Sequence, residues 1–514
     1  MFSLTQCSVT NKDLLVSSKS GSTYGGHALN IDSDGTGYAS KTTSITYEQV
    51  HDSTSLLDLG TTGTQNILVI PVKIVGYEQY ATSAIRQDIY NTFFGDPSDT
   101  GWQSLSSFYY QSSYQQLLIK GTVSGWYDCG YTTSQINKLA SSYNGTNKDY
   151  YQPTWTILEK AVAWYKQTYN TSCSGFDLNS DGCIDGVWLV YGCPDYSQVS
   201  SLTSNFWAYT YYDYSLAGQS LSLSNPMPYH YCWASYDFMY EMQDSWGKNK
   251  VDAHTYIHET GHLLGLDDYY VASDKATNAG PMGAVDMMDA NIIDHDAFSK
   301  FAFGWVKPYV ASDSCTIVLK PSSSTGQCVI LPTANGWNGS AFDEYMLLEF
   351  YTPTDLNATD AASPYANRVQ GFTQSGVRIY HVDARLCTVD MSSSSSTVGS
   401  YVDKVYSSDT VGTAVAHSNT DVYNQKNSSF RLIQEMDCTK KRDFSAYQTA
   451  SNGLKYSAVA DDSTLFQSGD SFDFSTYRNS FPNLTKMNDG SALNYSVAFS
   501  AMTSDSITLT IVKS

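Results

Sequence analysis

The stretch His254-Thr-Tyr-Ile-His258-Glu259-Thr-Gly-His262-Leu-Leu-Gly265-Leu-Asp267-Asp268-Tyr-Tyr270 decides how this chain is read. It holds a His-Glu-x-x-His pattern inside a segment that predicts a helix beginning near Asp252. Side chains four residues apart lie about 40° apart around an α-helix and one turn along it. His258 and His262 can therefore reach one metal ion. Glu259 lies about 100° round from His258, flanking that ion. A metal with a carboxylate base beside it gives an activated water and a polarised carbonyl, the chemistry of peptide hydrolysis.

Two further residues of the stretch extend the reading. Gly265 tolerates left-handed dihedrals, so the chain can end the helix there and turn back under the metal. Asp268 then falls where a third ligand is needed, giving a zinc site of His258, His262 and Asp268; its neighbour Asp267 is the competitor. His254 sits one turn before His258 on the same face. One ion cannot span three successive turns, so His254 is read as a packing or supporting histidine.

A second metal-like pattern lies upstream. Asp177-Leu-Asn179-Ser-Asp181-Gly182-Cys183-Ile-Asp185 places oxygen donors at alternate positions with a Gly at the sixth. This predicts Ca2+ held by Asp177, Asn179, Asp181 and Asp185, with Cys183 contributing its backbone carbonyl. Position twelve is Trp188 rather than Glu, so the loop is not a complete EF-hand. An Asx-rich turn without an ion is the alternative.

Around these motifs the hydrophobic pattern falls into three stretches. Residues 1–60 are rich in Ser, Thr and Gly and read as an N-terminal extension or small β element. Residues 61–310 have an α/β layout. Buried strands are expected at 66–75 and 187–191, and helices at about 83–94, 101–117 and 153–169. Residues 311–514 read as an all-β, sandwich-like C-terminal region, with strands at 315–320, 329–331, 345–350, 377–381 and 506–512. The Ser392–Ser396 run reads as a loop. The fold class expected is α+β.

Composition narrows the function classes. With 29 Lys+Arg against 50 Asp+Glu the net charge is −21, a surface that repels phosphate backbones and argues against nucleic acid as partner. No apolar run approaches the roughly 18 residues that a membrane span needs. Charged residues are only 15% of the chain and Tyr numbers 41, a profile that suits a secreted or cell-surface protein. Met1-Phe-Ser-Leu-Thr-Gln-Cys7 has neither a basic nor an apolar signal region, so the protein is either cytosolic or a mature chain with its signal removed, and the calcium-like loop and ten cysteines favour the second. The 10 cysteines form no Cys-x-x-Cys. The trio Cys173, Cys183, Cys193 is the expected place for a disulfide, with ordinary buried thiols as the alternative. Cys7 is read as an ordinary cysteine, since no motif around it supports a thiolate capping the zinc.

The joint pattern resembles a known family. His-Glu-x-x-His-x-x-Gly-x-x-Asp, followed by Gly280-Pro-Met-Gly-Ala-Val-Asp286-Met-Met288-Asp289, is similar to the immune inhibitor A family of secreted, metzincin-like zinc metallopeptidases. Phe108-Tyr-Tyr-Gln-Ser-Ser-Tyr114, Gly121-Thr-Val-Ser-Gly-Trp126, His295-Asp-Ala-Phe-Ser-Lys-Phe-Ala-Phe-Gly-Trp305 and Gly376-Val-Arg-Ile-Tyr-His381-Val-Asp383 extend the likeness over roughly residues 60–390. The resemblance implies a zincin-type catalytic domain, zinc on His258, His262 and Asp268, Glu259 as general base, and Met288 as the methionine of a tight turn beneath the metal. The family usually carries Pro where this chain has Asp267, so the choice between the two aspartates stays open at this point.

The function expected is that of a secreted zinc endopeptidase acting on protein or peptide substrates. The alternative is an extracellular binding or adhesion protein with an unused metal site. An intact Glu259 favours the enzyme, because a binding module needs no general base. A zinc hydrolase of a non-peptide amide is a third reading.

Overall fold

A computed structural model describes residues 15–18, 23–25, 45–51, 59–141, 152–195, 197–199, 202, 206–213, 220–242, 250–271, 280–364, 368–392, 397–420, 426, 430–444, 448–449, 455–456, 458–477 and 486–514. Cys7 and residues 393–396 of the serine-rich loop lie outside the described residues. The fold is mixed α+β with several sheets. It divides into two compact units, one of residues 56–111 and 117–266, the other of 1–55, 112–116 and 267–514.

The first unit is built on the sheet Leu117–Val123, Gly63–Val75, Val187–Tyr191, His230–Ser235 and Tyr209–Tyr212, in that spatial order. Neighbours are parallel as far as His230–Ser235, and Tyr209–Tyr212 closes the edge antiparallel. The Asn-Ile-Leu-Val-Ile run reads as a two-sided buried strand, and Ile67 to Ile70 are fully buried. Side chains alternate between the faces. Val187, Leu189 and Tyr191 pack with Leu158, Val162 and Tyr165 of the Gln152–Tyr169 helix. Trp188 points to the other face, where it meets Phe93 and Tyr256 at ring-centroid distances of 5.1 and 5.4 Å. Tyr256 belongs to the His254–Leu263 helix, so this second face carries the zinc motif.

The second unit holds a six-stranded antiparallel sheet, ordered Thr23–Gly25, Leu15–Ser18, Cys315–Leu319, Ile507–Lys513, Tyr495–Ser500 and Ser471–Asp473. A five-stranded sheet runs Tyr309–Val310, Cys328–Pro332, Glu344–Tyr351, Gly376–Asp383 and Ile433–Glu435. Ile317, Leu509 and Val497 of the first sheet share one core with Val329, Leu348 and Ile379 of the second. Cys315–Leu319 alternates buried and half-buried residues, as a strand with one covered face should, whereas Glu344–Tyr351 is buried throughout.

The division differs from the three sequence segments 1–60, 61–310 and 311–514, for reasons visible in the pairing. Leu15–Ser18 adds to Cys315–Leu319, and Ile45 and Val50 pack with Phe342 and Leu386, so the N-terminal stretch belongs with the C-terminal strands. Residues 280–305 are tied to those strands as well. The Arg378 guanidinium donates to the Val285 carbonyl (2.8 Å), and the Glu435 amide donates to the Pro281 carbonyl (2.9 Å). Arg378 is itself buried and paired bidentately with Glu435 (2.7 and 3.0 Å). The C-terminal region is not purely β: Ala358–Ala362 is a short helix.

The predicted helix over 101–117 is shorter, Leu105–Ser112. Tyr114 and Gln115 take positive φ (53° and 68°), and the chain enters the strand Leu117–Val123 directly afterwards. The disulfide expectation is also corrected. Cys173, Cys183 and Cys193 are buried thiols, and no disulfide occurs among the described residues. Cys173 and Cys193 are packed in the apolar core beside the Gln152–Tyr169 helix. Burial there holds both thiols above their ordinary pKa, so they are small protonated core residues.

Candidate metal centre

The His254–Leu263 helix is fixed in rotation by three adjacent strands of the sheet below it. Trp188, Cys232 and Thr210 stand in one row across the sheet, in register with one another, and so present their side chains to the same face. The Trp188 indole N–H donates to Thr260 Oγ1 (3.1 Å). The Cys232 thiol lies 3.5 Å from the Glu259 carbonyl. Thr210 Oγ1 lies 3.0 Å from Glu259 Oε2 and 2.9 Å from the Glu259 carbonyl. Two tyrosine hydroxyls add to this, Tyr256 donating to the Ser235 carbonyl (2.6 Å) and Tyr109 to the Ile257 carbonyl (2.7 Å).

Just before the helix stands Asp252, whose Oδ1 accepts from the His254 amide (3.1 Å) and sits 2.6 Å from His254 Nδ1. His254 is fully buried and stacked on Trp102, centroids 4.0 Å apart. It is a supporting residue, as its position on the helix suggested.

The helix ends in a Schellman motif. Gly265 has φ +100°; its amide donates to the His262 carbonyl (2.8 Å), and the Leu266 amide donates to the Gly261 carbonyl (2.9 Å). This reversal brings the Leu266 carbonyl to 2.8 Å from His262 Nδ1. A carbonyl only accepts, so Nδ1 carries the proton and Nε2 keeps its lone pair for a metal. Gly265→Ala is expected to lower stability by about 1–3 kcal/mol, the usual cost of an L-residue held in such a conformation. Urea denaturation of the metal-free variant measures it, and an unchanged midpoint would refute the strain argument.

The donor atoms of His258, His262 and Asp268 all lie within 4.8 Å of one another, close enough for small side-chain movements to bring them onto one ion. The two imidazole rings are near-perpendicular (87°) with centroids 4.9 Å apart. Two imidazoles and one carboxylate are the donor set of a catalytic zinc site with an open position, so the residues fit the ion. The structure also separates the two aspartates. Asp267 Oδ2 accepts from the Ser418 hydroxyl and its Oδ1 from the Asp268 amide (2.9 Å). Met287 and Met288 are fully buried in the single-turn helix Met287–Ala290. The Met288 carbonyl accepts from the amide of Tyr269, the residue after Asp268 (2.8 Å).

The acidic loop is arranged differently. Among the described residues, the carboxylates of Asp177, Asp181 and Asp185 do not converge as the His258, His262 and Asp268 donors do. Their oxygens accept from backbone amides instead. Asp177 takes those of Asp181 and Gly182 (both 3.1 Å), Asp181 that of Cys183 (2.7 Å), and Asp185 that of Leu178 (2.9 Å). Asn179 Oδ1 also accepts from the Asp181 amide (3.1 Å). This is the arrangement of an Asx-rich turn. Gly182, at φ +88°, makes the sharp turn, and a Cβ there would come within 2.8 Å of Leu221. Calcium on this loop is thus a separate question for experiment. If the ion binds, millimolar Ca2+ should raise the melting temperature of the wild type and leave that of Asp181→Ala unmoved. Equal melting in Ca2+ and in EGTA at concentrations that spare zinc would dismiss the ion.

Thr210 and Cys232 carried no sequence signal. Tyr209-Thr-Tyr-Tyr212 is a short strand, and its adjacency to Glu259 arises only from the register of three strands far apart in the chain. No protein-family model matches the chain, and no curated protein matches it.

Proposed function

We propose that the protein is a zinc-dependent endopeptidase. The observation that carries the reading is the convergence of the Asp268 donor with those of His258 and His262 within 4.8 Å, the two histidines lying on a helix that also presents Glu259. His258, His262 through its Nε2, and the Asp268 carboxylate would hold the ion. Zinc, when bound, polarises the scissile carbonyl and makes a water acidic enough to attack at neutral pH. Glu259 takes the proton from the attacking water and returns it to the leaving nitrogen as the C–N bond breaks. Its carboxylate is held by Thr210 and its carbonyl by Cys232, so the base meets the attacking water from a set direction.

The motif-based likeness to immune inhibitor A-type metallopeptidases supports this reading, including a metzincin-like catalytic unit and a β-rich C-terminal region. An extracellular setting is part of the proposal. It is supported by the acidic, Tyr-rich composition and not by cross-linked cysteines. No helix among the described residues is long and apolar enough to cross a membrane. Digestion of casein by the purified chain, with and without a zinc chelator, tests the proposal. Chelator-sensitive cleavage restored by zinc is the expected result. Zinc binding without cleavage of any peptide would return the chain to the binding or adhesion reading.

A further inference from the structure

We infer that Thr210, on the antiparallel edge strand, is the positioning residue for Glu259, its hydroxyl holding the carboxylate in the reactive rotamer. The inference rests on the endopeptidase reading and deepens it. A glutamate side chain has several staggered rotamers of similar energy, and burial alone does not choose among them. Here Thr210 Oγ1 lies at hydrogen-bond distance from both the carboxylate (3.0 Å) and the carbonyl (2.9 Å) of the same residue. A hydroxyl has one proton to give. A carboxylate oxygen is a stronger acceptor than a peptide carbonyl, so the proton goes to Oε2.

The carbonyl is not left to Thr210 alone. Cys232 stands directly opposite Thr210 across the strand pair, and its sulfur is 3.2 Å from Thr210 Oγ1 and 3.5 Å from the Glu259 carbonyl. Burial, reinforced by the nearby Glu259 charge, keeps this thiol protonated, so it can donate where Thr210 does not. Two donors thus face two acceptors of one residue, and the arrangement with the hydroxyl on the carboxylate satisfies all of them. The strand that bears Thr210 is an edge strand, so the tether comes from the sheet and not from the helix that carries the histidines.

Three variants of the full chain test this. Thr210→Val is isosteric and suits a half-buried edge strand, so it should fold. It should keep zinc content and KM but lower kcat about 10- to 100-fold, the scale of a misplaced reacting group. Thr210→Ser, which keeps the hydroxyl, should recover kcat to within a few-fold. Melting of the zinc-free wild type, Thr210→Val, Glu259→Ala and the double variant gives a second readout independent of activity. The bond requires that Thr210→Val cost less in the Glu259→Ala background than in the wild type. Wild-type kcat in Thr210→Val, a Thr210→Ser variant no better than Thr210→Val, or additive melting shifts would each overturn the inference. A wild-type chain that cleaves no peptide overturns the endopeptidase reading, and the positioning role with it. The melting cycle then still reports whether the Thr210–Glu259 bond exists.

Discussion

Glu259→Gln is expected to reduce peptide hydrolysis by about 10²–10⁴-fold, the usual loss when a general base is removed. Glutamine has nearly the shape of glutamate and still offers an oxygen to the Thr210 hydroxyl, so the local packing should survive. What it lacks is a basic oxygen for the proton of the attacking water. The metal should be unaffected, because the gathered donors are His258, His262 and Asp268 and do not include Glu259. Zinc content by elemental analysis and the zinc-dependent rise in melting temperature should therefore match the wild type. Full casein hydrolysis by a homogeneous Glu259→Gln preparation would assign the base to another group and remove the mechanism proposed above. Loss of zinc together with activity would show instead that the carboxylate has a structural part in the centre.

The centre was legible because it is local. His258, Glu259, His262, Gly265 and Asp268 lie within eleven consecutive positions, and helical geometry followed by a glycine reversal fixes their relative placement from spacing alone. The strand Val187–Tyr191 was equally plain, an apolar run bounded by Gly186 and Gly192. What spacing could not supply was register. The row Trp188, Cys232, Thr210 that anchors the helix draws on three strands, and His230–Ser235 alternates no polarity that would reveal it, being buried on both faces. The overrun of the predicted 101–117 helix has a similar origin. The chain turns at Tyr114 and Gln115 through positive φ without a Gly or Pro to announce it. The acidic loop poses the opposite difficulty. Its residue types suit calcium and amide capping equally, and in the structure its carboxylates accept from the loop's own amides. The cysteine trio misled because closeness in sequence does not set the direction of the side chains, which are buried here as separate thiols.

Asp268→Ala is expected to lose zinc affinity and activity together, whereas Asp267→Ala should keep most of both. Two histidines alone make a weak site, and a catalytic zinc centre usually takes three protein ligands. Removing even an outer partner of a ligand typically costs about 10–100-fold in metal affinity, so loss of a direct ligand should cost at least that much. The aspartates are distinguished by what their oxygens already do. Asp267 has one oxygen on the Ser418 hydroxyl and the other on the Asp268 amide, which occupies it in holding the turn. Asp268 has a carboxylate oxygen in the group formed with His258 and His262. Asp267→Ala should accordingly lower the melting temperature of the metal-free protein, with zinc still bound at stoichiometry. Asp268→Ala should melt near the wild type without metal and should fail to gain stability when zinc is added, because an ion that no longer binds the folded state cannot stabilise it. Zinc titration of the two variants decides between them. Full zinc binding by Asp268→Ala would remove it from the centre, and loss confined to Asp267→Ala would transfer the role to its neighbour.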